Sequence, residues 1–267
     1  MWKWQAEGQA KAVIVLVHSA YEHHLRYGWQ IEQWRAAGFQ VVMGDLAGHG
    51  KSRATSKPHM ADFTVYETEI DEMLKAAYTD GLPVFVIAHG FGAILVMSYL
   101  SRVKQNIAGV VFTSPWLKLI KTPSKISGAL PGLHKLTPNM KINHGLMTED
   151  LTRNPEIIEM EWGDELYRPV VTVKWYHELQ TYMKILNSGK VKFPDIPTFV
   201  HTAENDLVSD KEAAKNWLKQ QDLKEFSYKE WKGAYHDLFQ EPERENVLVT
   251  THLFMKNVLR TLGYVVK

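Results

Sequence analysis

The sequence predicts an α/β protein built on a mostly parallel sheet with helices on both faces. Three observations carry that reading. Short apolar, β-branched runs recur along the chain. Longer segments of helical periodicity separate them, as β-α-β units require. One run, Ala12–Val17, is apolar at every position, which suits a strand covered on both sides.

The elements follow in order. After Ala12–Val17, residues 24–37 carry Leu25, Trp29, Ile31 and Trp34 on a helix that stops at Gly38. Gln40–Met43 is the next strand. Phe63, Tyr66, Ile70, Met73 and Ala77 recur at spacings of three and four, and Asp80, Gly81 and Pro83 end that helix. Val84–Ala88 reads as a strand and Phe91–Arg102 as the helix after it. Gly109–Thr113, Pro197–His201 and Phe226–Trp231 complete the strands, with helices over 211–221 and Asn246–Leu262.

Residues 116–172 break this rhythm. They hold Pro123, Pro131 and Pro138 and no clear β-α unit. Leu117–His144 is basic, with five lysines and no acidic residue; the second half is acidic. The segment is expected to be a cap inserted over the C-terminal edge of the sheet, between core segments 1–115 and 173–267. The apolar residues of its first half (Trp116, Leu119, Ile120, Leu130 and Leu133) are expected to dock the cap on the core. A peripheral membrane contact through the same basic half is the alternative.

The 267 residues suffice for one large domain. A net charge of +1 gives no general attraction to nucleic acid or anionic lipid. The absence of cysteine excludes disulfides, thiol catalysis and thiolate-bound metals. No run of about 18 apolar residues suggests a membrane span, and the N-terminus lacks a signal peptide's apolar stretch. A cytoplasmic protein is expected. Nine Trp and eleven Tyr fit either a broad apolar pocket or aromatic core filling.

The chemistry centres on residues 84–92, Val-Phe-Val-Ile-Ala-His-Gly-Phe-Gly. A strand, a small-x-nucleophile-x-small turn and a helix make a nucleophile elbow. Ala88 and Gly92 are the small residues, and Gly90 stands at the nucleophile position, with no side chain to attack. Further motifs follow the same chain order: His18-Ser19-Ala20-Tyr21-Glu22-His23, Arg26-Tyr27, Gly44 to Ser52, and Tyr235-His236-Asp237 ahead of Glu241-Pro242-Glu243-Arg244-Glu245. Together they resemble the α/β-hydrolase fold over essentially the whole chain. Within that fold the chain is similar to bacterial monoacylglycerol lipases and lysophospholipase-like proteins of the serine aminopeptidase S33 type.

That resemblance implies a serine hydrolase acting on monoacyl esters, with an oxygen nucleophile, a His base, an acid and an oxyanion hole. It places the acid at Asp206 and the base at His236, with Asn205 and Asp210 as neighbouring alternatives for the acid. It draws the oxyanion hole from the backbone N–H of Phe91 and of Ala20. Relatives usually carry His-Gly where this chain has His18-Ser19, so the second donor is the less secure. His89 is expected to be a packing residue and Ser114 a loop serine.

Gly90 is the departure that decides function. Glycine keeps the elbow turn without the roughly 1–3 kcal/mol of backbone strain another residue pays there, but it deletes the attacking atom. Loss of a triad member leaves about 10³–10⁴-fold catalysis over water. Three explanations stand: natural loss giving a lipid- or small-molecule-binding pseudoenzyme, an engineered Ser-to-Gly exchange in an active esterase, or attack by a different oxygen, either water on His236 or Ser19. Drift at Ser19 and Ala88 favours the first. No metal or cofactor is expected: no His-x-x-x-His pair with a following carboxylate occurs. The Gly48-to-Ser52 turn lacks the first glycine of a phosphate loop. The expected ligand is a small lipid or ester.

Overall fold

In the computed structural model, which describes residues 1–54, 62–123 and 136–264, seven strands form one sheet. They are β1 (Trp2–Trp4), β2 (Ala12–Val17), β3 (Phe39–Met43), β4 (Val84–His89), β5 (Gly109–Thr113), β8 (Thr198–Ala203) and β9 (Phe226–Trp231). Their order is β1-β3-β2-β4-β5-β8-β9. Every pairing is parallel except β1 with β3. Crossovers are made by α1 (Gly28–Ala36), α2 (Thr64–Tyr78), α3 (Gly90–Leu100) and α7 (Lys211–Lys219), and α8 (Arg244–Thr261) closes the chain.

The alternation of side chains along a strand divides the core in two. Val13, Val15 and Val17 of β2 enter the cluster on one face, with Phe91, Trp116 and Trp175. Ala12, Ile14 and Leu16 enter the other, with Trp34, Phe39 and Met255. All six residues of β2 are buried, so the continuous apolar run is explained by two covered faces. Trp34, Trp116, Trp175 and Trp217 are all fully buried; much of the aromatic excess is core filling.

Three departures from the sequence reading have physical causes. The helix expected over 24–37 is split. A short 3-10 turn, His24–Tyr27, precedes α1, because Arg26 and Tyr27 turn inward to Glu161 and Glu22 instead of continuing a surface helix. Gly38 does end α1, at φ +86°. Second, a helix absent from the sequence reading, α6 (Val173–Leu186), lays Trp175, Tyr176, Leu179 and Leu186 inward and packs on α3. That cover explains why α3 is apolar all round. Third, residues 136–172 do contain regular structure. A separate hairpin joins β6 (Lys141–Asn143) to β7 (Val170–Thr172) and encloses α4 (Thr148–Leu151) and α5 (Pro155–Glu161).

Trp116 and Leu119 are buried, not presented to a surface. Ile120 is exposed, while Leu130 and Leu133 lie outside the described residues. Among the described residues, no helix is long and apolar enough to cross a membrane.

Candidate active site

The loops after β2, β4, β8 and β9 meet at the C-terminal edge of the sheet, where a parallel fold gathers its chemistry. The elbow turn forms as its sequence requires. Gly90 has φ +51°, the left-handed region that glycine enters without steric cost. Gly92 is required by close approach: a Cβ there would lie 2.4 Å from the carbonyl oxygen of His18. α3 begins at Gly90, so its first N–H groups face the turn and favour negative charge.

Asp206 and His236 come together, both buried. The imidazole Nδ1 donates to the Asp206 carboxylate, at 2.9 and 3.0 Å from its two oxygens. The carboxylate also accepts from the backbone N–H of Val208 and Ser209 and from the Ser209 hydroxyl. Burial alone would raise Asp206; the His236 charge and these bonds hold it below the usual carboxylate range. Burial opposes charge on His236, but Asp206 outweighs it and raises the imidazole. The Ser114 hydroxyl fixes the loop by donating to the His236 carbonyl at 2.6 Å. Asn205 is exposed, and Asp210 caps α7 and pairs with Lys118, so neither competes for the imidazole.

The position opposite His236 is filled, although Gly90 has no side chain to fill it. The indole N–H of Trp116 donates to His236 Nε2 at 2.9 Å. Trp116 is itself tied to the elbow, its backbone N–H donating to the Gly90 carbonyl. From the other side the Ser19 hydroxyl accepts the Phe91 backbone N–H at 3.1 Å, the donor assigned to the oxyanion hole. Ser19 is held at three points, because its N–H donates to Glu22 and its carbonyl accepts from His18 Nδ1. A Cβ added at residue 90 would stand 2.1 Å from Ser19 Oγ, 2.9 Å from Ser19 Cβ and 3.0 Å from Trp116 Nε1. Ala20, the other assigned donor, is buried in the same loop. Its neighbour Tyr21 takes φ +73°, a strained value for a bulky residue.

A second buried cluster lies against His236. The His89 ring is 4.8 Å from the His236 ring, and potential donor atoms of Glu22, His89 and Asp237 all lie within 4.8 Å of one another. Among the described residues, these are the side chains that could meet around a metal ion, although the buried charge of Arg26 already acts on Glu22 and Asp237. Burial would raise Glu22, but His89, Arg26 and the Tyr27 hydroxyl hold it at about 2. Burial and the Glu22 charge push Asp237 up instead. His89 Nδ1 meets the Thr113 carbonyl and hydroxyl, which ties the ring into the core. The sequence reading missed this cluster because its members come from three distant segments. Glu22 and Arg26 stood in the quoted motifs, and their charges were the available signal.

The 136–172 segment is latched over this edge. Arg26 pairs with Glu161 at 2.5 Å and lies over the Tyr167 ring. His23 pairs with Asp164 and Tyr21 bonds His144.

A parallel sheet with this elbow, followed along the chain by acid and then histidine, places the protein among the α/β-hydrolases. Comparison with known proteins narrows the class: residues 8–243 match the family model described as "Serine aminopeptidase, S33". The chain belongs to that family. It is 37% identical to Phospholipase YtpA of Bacillus subtilis over 95% of this chain and 98% of that protein. It is 25% identical to human Monoglyceride lipase over 91% of this chain and 81% of that one. The crystal structure of Paleococcus ferrophilus monoacylglycerol lipase superposes with a TM-score of 0.82 at 26% identity, over 97% and 98% of the two chains. The protein is thus an α/β-hydrolase of the monoacylglycerol lipase and phospholipase type.

Proposed function

We propose that this chain is a non-hydrolytic member of its family: a body descended from monoacyl-ester hydrolases that binds a lipid or ester ligand without cleaving it. Asp206 and His236 occupy the acid and base positions, and Phe91 and Ala20 those of the oxyanion hole, but no nucleophile completes them. One observation carries the reading. Ser19 and Trp116 take up the hydrogen bonds that a nucleophile and an oxyanion would make, so the loss at Gly90 is accompanied by a filled centre.

The same observation separates this reading from its rivals. A lone Ser-to-Gly exchange in an otherwise unaltered esterase would leave room for the serine, whereas here its Cβ would overlap Ser19. Attack by Ser19 or by water on His236 needs Nε2 to accept a proton, and the indole N–H of Trp116 already occupies that lone pair. The segment at 116–172 serves as the cap in this account, and polar contacts from Glu161, Asp164 and His144 hold its described part at the sheet edge.

The test is hydrolysis of a monoacylglycerol by the chain itself, by Gly90→Ser and by Ser19→Gly/Gly90→Ser/Trp116→Phe, side by side. The chain and the single variant stay at background and the triple variant, with Nε2 freed, rises above it. Turnover by the chain itself defeats the proposal.

A further inference from the structure

The 136–172 segment holds a cavity of about 870 Å³, within the range of small-molecule sites. Leu146, Ile158, Trp162 and Tyr167 supply apolar wall. Trp162 is 90% exposed, a large apolar surface left open to solvent at the end of α5. Gly163, at φ +82°, turns the chain immediately after it.

The polar side of the wall has one sign. Glu149, Glu159, Glu161 and Asp164 line it, and no Lys or Arg does among the described residues. Glu161 and Asp164 are spent on Arg26 and His23. Glu149 and Glu159 make no ion pair among the described residues, so their charge is available to a ligand. An aromatic face beside uncompensated carboxylates is the arrangement that holds an alkylammonium group, by cation–π attraction and charge together.

This cavity is separate from the elbow. Gly90, Ser19, Trp116 and His236 do not line it. Tyr167 forms its inner wall, 6.3 Å from the Tyr21 ring, which in turn lies 6.2 Å from the Trp116 ring. Aromatic side chains therefore stand between the cavity and the imidazole.

We infer that this cavity is a binding site for a single-chain cationic amphiphile: the alkyl chain lies along Leu146 and Ile158, and an ammonium head sits between Trp162 and the Glu149 and Glu159 carboxylates. The inference does not depend on whether the elbow is inactive.

Calorimetric titration of the full chain tests it. The probes are dodecyltrimethylammonium, dodecanoate and dodecyl maltoside, each below its micelle-forming concentration. The trimethylammonium probe should saturate at one per chain and bind about tenfold or more tighter than the other two. Glu149→Gln/Glu159→Gln should remove that preference while leaving the affinity for dodecyl maltoside unchanged. Trp162→Ala should weaken the cationic probe most. All three substitutions lie on the cavity wall, and unchanged thermal melting checks that the variants fold. Equal binding of the three heads, absence of saturable binding, or cationic binding unmoved by these variants overturns the inference.

Discussion

The indole N–H of Trp116 points at Nε2 of His236 from 2.9 Å, on the nitrogen opposite the one held by Asp206. The two contacts pull the imidazole in opposite directions. Asp206 favours the charged ring, whereas Trp116 can bond only the neutral one, because a protonated Nε2 would set two donors face to face. Trp116→Phe therefore raises the His236 pKa, because the neutral ring loses the bond that favours it. NMR titration of the His236 ring protons in both proteins reads the shift. An unchanged or lowered value would mean that the indole does not hold the neutral form.

Restoring a hydroxyl at residue 90 is not sufficient. Gly90→Ser places a side chain at φ +51° and against the Ser19 hydroxyl. It should lower stability by about 1–3 kcal/mol and give no labelling by a fluorophosphonate. Ser19→Gly/Gly90→Ser removes the closest overlaps and frees the Phe91 N–H, but Trp116 still holds Nε2, so labelling stays slow. Adding Trp116→Phe frees Nε2 and speeds labelling by about 10²–10³-fold. Labelling rates measured by gel fluorescence rank the three variants, and full labelling of the single variant would contradict the order.

His144 links the 136–172 segment to acid stability. Its Nδ1 accepts from the Tyr21 hydroxyl at 2.7 Å and its Nε2 donates to the Lys121 carbonyl at 3.0 Å. Burial chiefly, with the Lys121 charge, lowers its pKa to about 4, against the lift from the Lys121 carbonyl. A base depressed in the fold takes its proton first in the unfolded chain. Stability therefore falls as pH drops from about 6.5 to about 4, by up to about 3 kcal/mol from this ring alone. Glu161, raised to about 7 by burial, acts in the opposite sense between about 7 and 4.5. The difference in denaturant stability between the chain and His144→Gln isolates the histidine. That difference should shrink as pH falls; a constant difference would refute the assignment.

The legible parts of the molecule are those set by local rules. Continuous apolar runs marked β2 and β4 because both of their faces are covered. Gly38 marked the end of α1, and Gly92 with the strand before it marked the elbow, because close approach to the His18 carbonyl leaves no room for a Cβ there. Asp206 and His236 were readable from their positions after two strands, through resemblance. Trp116 was not. Its sequence neighbourhood, a proline and a basic stretch, gives no sign that the indole turns back onto an imidazole 120 residues away. Ser19 was noticed as a departure from glycine, but that its hydroxyl meets the Phe91 amide depends on the packing of two loops. α6 was missed although Trp175, Tyr176 and Leu179 have helical spacing, because the irregular segment before it drew the boundary.

Whether the centre is filled in solution is tested most directly by turnover. Monoacylglycerol is offered at saturating concentration to the chain and to His236→Ala, and released fatty acid is measured over hours. The account predicts the same background rate for both, since an imidazole capped by Trp116 has no nucleophile to activate. Saturable release by the chain that disappears in His236→Ala would contradict it.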